Sequence, residues 1–145
     1  MKIVAIVPIK KRSKRVKGKN FKQINKRPLY DFLLKKIKKC NFDEIYVDSD
    51  SNKIEKYCKE NNINFIKRLP RLALDKANGN DLLNYHSNLI SADIYFQLFI
   101  TAPLLKISTI NNGDILCFNN GIPKDAGSKR LANSMKKNNI EITLD

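Results

Sequence analysis

Short apolar runs, separated by stretches with helical periodicity, constrain the fold of this 145-residue chain more than any other feature. Residues 2–8 and 93–100 are apolar almost without interruption, which is typical of strands buried on both faces of a parallel sheet. Shorter runs at 44–47 and 64–67 have the composition of two further strands. Because strands that alternate with helices form βαβ units, the sequence predicts an α/β fold, a three-layer α/β/α sandwich around a mostly parallel sheet.

The stretches between these strands each have one apolar face, which is the pattern of a helix packed on a sheet. Pro28 suits the first turn of a helix, and Ser51 or Asn52 can cap the next one. Two segments rich in Pro, Gly or Lys do not have this pattern and read as ordered loops. The sequence therefore predicts helices over 28–40, 51–61 and 81–89 and loops over 9–27 and 68–80.

The composition indicates one cytoplasmic globular domain. A hydrophobic fraction of 42% is enough to form a core. No apolar run approaches the length of a membrane helix. The N-terminal apolar run meets a cluster of cations too soon for a secretory signal, so we expect the protein in the cytoplasm and not in a membrane.

Three cysteines and one histidine exclude a CxxC-type zinc site and a disulfide framework, because they are widely separated along the chain. We interpret Cys40, Cys58 and Cys117 as reduced structural thiols. His86 stands among Leu and Tyr on the third predicted helix, so a core or boundary histidine is expected there. A Cys–His nucleophilic pair would require the fold to bring His86 to a thiol.

A run of cations leaves the first predicted strand in "VPIKKRSKRVKGKNF", residues 7–21. In open parallel sheets, ligands bind beyond the carboxyl ends of the strands. Phosphates are the natural ligands of clustered Lys and Arg, with backbone amides near Ser13 and Gly18 as further donors. The segment lacks the first Gly and the Ser or Thr of a Walker loop, and it is not a GxGxxG fingerprint. With a net charge of +14, a solvated Lys-rich surface or a nucleic-acid-binding surface stays open as an alternative.

Several motifs together resemble the cytidylyltransferases that activate acidic sugars, the CMP-N-acetylneuraminate (acylneuraminate) and CMP-Kdo synthetases. Their pattern is a strand followed by Ala-Arg-x-x-Ser-Lys-Arg, three residues, and Lys-Asn. The segment "IKKRSKRVKGKN" matches it at the same spacing, and "KRPLYDFLL" resembles the family's Gly-Lys-Pro-Leu helix start. Further on, "YVDSD" resembles Ser-Thr-Asp and places Asp50 at the sheet edge. "RLPRLALD" resembles Arg-Pro-x-x-Leu-Ala-x-Asp, and "ITAPLLK" resembles Pro-Thr-Ser-Pro-Leu-Arg.

The resemblance implies a Rossmann-like sheet of the nucleotide-diphospho-sugar transferase type, CTP as co-substrate and Mg²⁺ as cofactor. It implies that an acidic sugar of the sialic-acid type attacks the α-phosphate of CTP, in a reaction that depends on positioning and electrostatics. Lys14 and Lys19 are the implied catalytic residues. The nucleotide and triphosphate would contact a longer set of residues: Lys10, Ser13, Lys14, Arg15, Lys19, Asn20, Arg68 and Asp75.

The sequence departs from the family pattern at the cleft and in its last third. Lys10 replaces an Arg, which loses the bidentate fork. Phe99 and Ala102 replace the usual Gln and Ser, so the acceptor sugar is not fixed by the motifs. Residues 111–145 contain no Asp-x-Asp, so the metal ligands are unknown, and the family's dimerisation region has no counterpart, which leaves a homodimer open.

Because the last third departs from the pattern, we divide the chain into a nucleotide-binding region, 1–110, and a divergent α/β extension of the same domain, 111–145. We expect a strand over 114–118, a helix over 128–137 and a strand over 140–144. The segment 115–127 also faintly resembles the strand-turn of a Toprim metal site, with Asn119 and Asn120 in place of acids. The two functions that remain are a CTP-dependent nucleotidyltransferase, inactive if truncated, and a non-catalytic basic protein that binds nucleic acid or another polyanion.

Overall fold

The computed structural model describes residues 1–14 and 16–111 and the backbone of 117–119. Short strands and helices alternate along the described chain. The strands are β1 (Ile3–Ile9), β2 (Gln23–Ile24), β3 (Arg27–Pro28), β4 (Glu44–Ser49), β5 (Asn64–Lys67), β6 (Ile94–Gln97) and β7 (Cys117–Asn119). The helices are α1 (Leu29–Ile37), α2 (Asn52–Glu60), α3 (Pro70–Ala73), α4 (Gly79–Leu89) and α5 (Ile107–Asn111), with one 3₁₀ turn at Lys19–Phe21.

The main sheet has five strands in the order β5-β4-β1-β6-β7. The pairs β1–β4, β1–β6 and β4–β5 are parallel, and β6–β7 is antiparallel. In this register Pro8 of β1 lies beside Asp48 of β4, which lies beside Ile66 of β5. The predicted α/β fold with a mostly parallel sheet is confirmed.

The two faces of the sheet bury separate apolar clusters, which gives the three layers. Helices α1, α2 and α5 cover one face, and α4 covers the other. The first cluster includes Ala5, Val7, Ile9, Leu33, Leu34, Ile37, Val47, Ile54, Cys58, Leu98 and Ile110. The second includes Val4, Ile6, Ile66, Ile90, Ala92 and Tyr95. Successive β1 residues belong to opposite clusters, which explains why its sequence is apolar without alternation.

The segments predicted as loops contain more regular structure than the sequence indicated. Segment 9–27 contains the 3₁₀ turn and strand β2, which pairs with β3 in a small hairpin. Asn25 and Lys26 form its turn with φ of 49° and 63°, the two positive angles of a type I′ turn. Segment 68–80 contains α3, and α4 begins earlier than predicted, because the Asn78 side chain accepts from the backbone N–H of Asn80 and Asp81.

A buried carboxylate on α1 ties this helix to α2. Asp31 accepts hydrogen bonds from Arg27 Nη2 at 2.7 Å and Tyr57 Oη at 2.5 Å, and Lys35 Nζ lies 3.1 Å away. Burial raises the pKa of Asp31, but the hydrogen bonds from Tyr57, Arg27 and Lys35 outweigh it, so the pKa lies below its ordinary value. Burial, with the hydrogen bond to Asp31, raises the pKa of Tyr57.

The thiols within the described residues are structural. Cys58 is buried in the first cluster, and burial raises its pKa to about 11. Burial also raises the pKa of Cys40. Neither thiol is therefore a nucleophile at neutral pH. His86 is fully buried, which confirms the expectation of a core histidine. The side chain of Cys117 lies outside the described residues.

The predicted tail elements are mostly outside the described residues. The predicted strand at 114–118 overlaps β7. The predicted helix at 128–137, the predicted strand at 140–144 and the faint resemblance of 115–127 to a Toprim strand-turn stay predictions. Among the described helices, none combines the length and apolar character needed to cross a membrane.

Candidate functional site

The strand order places a crevice at the carboxyl end of β1. The chain passes from β1 to β4 on one side, and β6 later pairs with the opposite side of β1. The segments that follow β1 and β6 therefore run in different directions, which leaves a crevice between the ends of these two strands. This switch point is where open α/β sheets bind their ligands.

A cleft of about 260 Å³ occupies this position. Some lining side chains are cationic or polar, and we call them the cationic wall: Lys10, Lys19, Asn20 and Arg68. Others are apolar, and we call them the apolar wall: Leu72, Leu74, Leu82 and Phe99. Leu74 and Phe99 are about half exposed. A ligand that combines an anionic part with a ring or another apolar part fits two such walls.

The loop after β1 is held in place by local hydrogen bonds. Gly18 has φ of +65°, a conformation that side chains disfavour, and it opens the 3₁₀ turn that carries Lys19. Asn20 is buried, and its Nδ2 donates to the carbonyl oxygen of Lys10 at 2.8 Å. Asp50 accepts from the backbone N–H of Lys11 at 2.6 Å. Asp50 therefore anchors the loop to the end of β4.

Asp75 joins two of the predicted phosphate-binding lysines. Lys10 Nζ lies 2.8 Å from Asp75 Oδ1, and Lys14 Nζ lies 2.9 Å from Oδ2. The hydrogen bonds from Lys10 and Lys14 lower the pKa of Asp75, so the carboxyl group is ionised at neutral pH. Lys10 lines the cleft, whereas Lys14 is largely exposed. One internal carboxylate thus takes the place between two cations that a phosphate oxygen could occupy.

Replacing Asp75 by asparagine is expected to tighten the binding of inorganic tripolyphosphate. The change removes the negative charge that neutralises Lys10 and Lys14, so we expect an affinity roughly three- to tenfold higher at low salt, with a smaller gain at high salt. Calorimetric titration at two salt concentrations measures the effect. Glu60→Gln is the matched control, since Glu60 pairs with Lys56 on α2 and does not line the cleft. Weaker binding by Asp75→Asn would instead support the direct nucleotide contact that the sequence resemblance implies.

Arg68 belongs to a charged cluster beneath the cleft. Its Nε donates to Asp48 Oδ1, and its Nη2 donates to the Asp48 carbonyl oxygen at 3.3 Å. Asp48 Oδ2 lies 2.5 Å from His86 Nε2. A carboxylate is only an acceptor, so Nε2 carries the proton of this hydrogen bond. All three side chains are almost completely buried.

The structure brings together many of the residues that the sequence singled out. Lys10, Lys19, Asn20 and Arg68 line the cleft. Asp75 is joined to the lining residue Lys10 by one ion pair and to Lys14 by another. Ser13 is partly buried but is not among the lining residues. Arg15 lies outside the described residues. Their contacts with a nucleotide stay predictions.

Sequence reasoning missed Asp48 and gave His86 no part in the site. The signal for Asp48 was present, because an acid at the end of a buried strand needs a partner. The apolar wall was missed except for Phe99, which the motif comparison flagged. No sequence signal connects Asp48 with His86, because they are 38 residues apart.

The described residues do not fit a magnesium site. The cleft lining contains no carboxylate, and in the described ranges no three His, Cys, Asp or Glu residues lie together as a metal site requires. Mg²⁺ prefers carboxylate and phosphate oxygens. No protein ligand can therefore be assigned to a metal in this part of the chain.

Comparisons with known proteins agree with this fold. A sequence model of the family described as cytidylyltransferase matches residues 4–120. The structure of CMP:2-keto-3-deoxy-manno-octonic acid synthetase complexed with CTP is similar, with a TM-score of 0.66 and 21% identity over 77% of this chain and 45% of that one. A cytidylyltransferase from Leptospira borgpetersenii is also similar, with a TM-score of 0.59 and 21% identity over 77% of this chain and 46% of that one.

The bifunctional IspDF from Campylobacter jejuni shares the fold more distantly, with a TM-score of 0.59 and 18% identity over 77% of this chain and 29% of that protein. A comparison with curated protein sequences finds no match. The chain thus spans less than half the length of the solved structures named here, and at these identities they show the fold alone. The family model covers most of the chain, and from it we conclude that the chain belongs to the cytidylyltransferase family.

Proposed function

We propose that the chain binds CTP in the cleft and takes part in transferring its CMP group to an acidic sugar of the sialic-acid type. One observation carries the proposal: Lys10, Lys19, Asn20 and Arg68 converge on a cleft at the switch point of a cytidylyltransferase sheet. Cations at this position neutralise a triphosphate, and the apolar wall suits the pyrimidine ring or the sugar.

The proposed reaction is a nucleotidyl transfer. The anomeric hydroxyl oxygen of the sugar attacks the α-phosphorus of CTP, a new phosphorus–oxygen bond forms, and the bond to the β-phosphate oxygen breaks. Pyrophosphate leaves with the electron pair, and the hydroxyl proton goes to solvent. Lys14 and Lys19 stabilise the charge on the leaving group, while Lys10, Ser13 and Arg15 complete the triphosphate site. Such a reaction requires positioning and charge neutralisation more than covalent chemistry.

The remaining predicted residues orient the nucleotide. Asn20 fixes the loop through the Lys10 carbonyl oxygen, and Arg68 supplies a charged donor at the floor of the cleft. Asp75 holds Lys10 and Lys14 together until a phosphate replaces it. Mg²⁺, which the family resemblance implies, belongs to the proposal as a partner of the phosphate oxygens. We assign it no protein ligand, because the described residues hold no set of carboxylates for it.

Calorimetric titration with CTP and Mg²⁺ tests the proposal, with ATP and a DNA duplex as competing ligands. We expect selective binding of CTP that weakens about tenfold or more in Lys19→Ala, because a charge-assisted contact is lost. Lys39→Ala is the matched control, since Lys39 is an exposed lysine beyond the end of α1 and does not line the cleft. Release of pyrophosphate with a panel of acidic and neutral sugars then identifies the acceptor.

A second candidate is a non-catalytic protein that binds polyanions. It is favoured by Lys11, Arg12 and Lys17, which are exposed on the same loop and do not line the cleft. Equal binding of CTP, ATP and DNA, with a steep dependence on salt and equal losses in Lys19→Ala and Lys39→Ala, would support this candidate and contradict the first.

A further inference from the structure

In the cluster of Asp48, Arg68 and His86, the two oxygens of the Asp48 carboxylate accept hydrogen bonds from two different segments of the chain. Oδ1 receives Arg68 Nε, from the segment after β5, and Oδ2 receives His86 Nε2, from α4. The Asp48 carbonyl oxygen receives Arg68 Nη2 as well. Asp48 itself is fully buried at the end of β4, beside Pro8 of β1. This carboxylate therefore links the sheet, α4 and the floor of the cleft.

We propose that Asp48 and His86 are positioning residues that hold the Arg68 guanidinium at the cleft for an anionic group of the ligand. The inference rests on the proposed function for the identity of that ligand, CTP. Arg68 lines the cleft although its side chain is only 3% exposed. Its Nε and Nη2 are bound to Asp48, and Nη1 has no partner among the described residues, so this amino group is free to bind a ligand.

Fixing an arginine in advance has a clear effect on affinity. A free arginine side chain samples many rotamers, and a ligand that binds it must restrict them. Here the two hydrogen bonds to Asp48 restrict them during folding, so the ligand meets a guanidinium already in place. Lys14, by contrast, is 80% exposed and is held only by its ion pair with the half-exposed Asp75.

Packing alone does not explain why a histidine occupies position 86. Its Nδ1 is buried and has no hydrogen-bond partner among the described residues, and an unpaired buried polar atom costs stability. An apolar residue would fill the same contact between α4 and the sheet without that cost. The Nε2–H group, however, binds Oδ2 and stops the Asp48 carboxylate from rotating away from Arg68.

Two effects of Asp48 on an anionic ligand oppose each other. Its negative charge reduces the attraction that Arg68 exerts, and its hydrogen bonds fix the direction in which Arg68 points. Unlike Asp75, Asp48 pairs with none of the lysines of the loop after β1, so its removal frees no lysine for the ligand. Lys10 and Lys19 are point charges on flexible stems, so they do not supply the fixed geometry of a guanidinium. Positioning is therefore the larger effect, and loss of Asp48 weakens binding.

Two isosteric or near-isosteric variants and one control test this inference by calorimetric titration with CTP. In Asp48→Asn we expect affinity to fall about tenfold, and in His86→Gln about threefold. Asp31→Asn is the control, because Asp31 is also a buried carboxylate with Arg, Lys and Tyr partners but does not line the cleft. It is expected to lose stability without losing affinity. Thermal unfolding sets a temperature at which every variant is folded.

A second measurement needs no ligand and separates this inference from the proposed function. In ¹⁵N–¹H spectra we expect a slowly exchanging Nε–H of Arg68 in the wild type and in Asp31→Asn. The signal exchanges rapidly in Asp48→Asn and at an intermediate rate in His86→Gln. If the wild type does not bind CTP, the proposed function fails. The exchange rate of the Arg68 Nε–H then still shows whether Asp48 and His86 hold the guanidinium in place.

The inference is overturned if Asp48→Asn binds CTP as tightly as the wild type or more tightly, since the carboxylate would then act only as a screen. Rapid exchange of the Arg68 Nε–H in the wild type overturns it as well. If Asp48→Asn does not fold, His86→Gln supplies the test alone, and an unchanged affinity together with unchanged exchange in that variant contradicts the role of His86.

Discussion

Asp48→Ala is expected to lower the free energy of unfolding by about 3–5 kcal/mol, one of the largest effects of any single substitution in the described chain. The variant leaves the buried guanidinium of Arg68 without its carboxylate, and it leaves His86 Nε2 without an acceptor. An uncompensated buried charge is far more costly than a missing surface contact. Urea denaturation, followed by fluorescence or circular dichroism, measures the change.

The double variant Asp48→Leu with Arg68→Met is the informative control. Replacing a buried ion pair by apolar residues of similar volume is often neutral for stability. We therefore expect the double variant to recover the part of the loss that comes from the uncompensated charge of Arg68, while His86 Nε2 stays without its acceptor. It should still bind CTP as weakly as a variant that lacks Arg68. A loss below about 1 kcal/mol in Asp48→Ala would mean that water compensates Arg68 and that the cluster is not dry. A double variant that is stable but does not bind would show that the ion pair serves the cleft more than the fold.

The fold was largely predictable because it depends on patterns that are local in the sequence. The apolar run of β1 is continuous since both faces of that strand are covered, and the periodicities of α1 and α2 correspond to their single buried faces. The elements that were not predicted depend on other forces. The hairpin of β2 and β3 needs two residues with positive φ, and Asn25-Lys26 is a weak signal for such a turn.

The site was predictable only where a motif carries it. Lys10, Lys19, Asn20 and Arg68 could be named because they occur in ordered motifs, and the switch point of the sheet explains why they meet. The pair of Lys10 with Asp75 spans 65 residues, and the pair of Asp48 with His86 spans 38. Such partners are chosen by the packing of the folded chain, and no spacing in a single sequence specifies them.

In the segment after β6, the sequence correctly indicated buried residues but predicted a strand that is too long. The sequence predicted one strand over 93–100, whereas β6 ends at Gln97. Beyond it, Leu98 and Ile100 are buried in the first cluster, while Phe99 between them is half exposed and lines the cleft. A run that looks uniform in sequence therefore alternates between the core and the ligand site.

Leu98→Ala is expected to lower the free energy of unfolding by about 3 kcal/mol, within the usual range of roughly 2–5 kcal/mol for a buried leucine. Leu98 is 1% exposed and packs in the larger core cluster, and its backbone N–H donates to the Ile6 carbonyl oxygen at 2.9 Å. Chemical denaturation measures the loss. Leu104→Ala is the matched control, because it removes the same atoms from a side chain that is 89% exposed, and we expect a change within about 0.5 kcal/mol.

The same pair of variants also reports on the cleft. Leu98 anchors the chain between β6 and Phe99, so the cavity left by alanine allows this segment to shift and moves Phe99 relative to Leu72 and Leu82 on the apolar wall. We therefore expect Leu98→Ala, but not Leu104→Ala, to weaken CTP binding about threefold under conditions where both variants are folded. Equal stabilities of the two variants would contradict the burial of Leu98. A destabilised Leu98→Ala with unchanged CTP affinity would mean that the ligand uses only the cationic wall, where Lys10, Lys19 and Arg68 suffice without the phenyl ring.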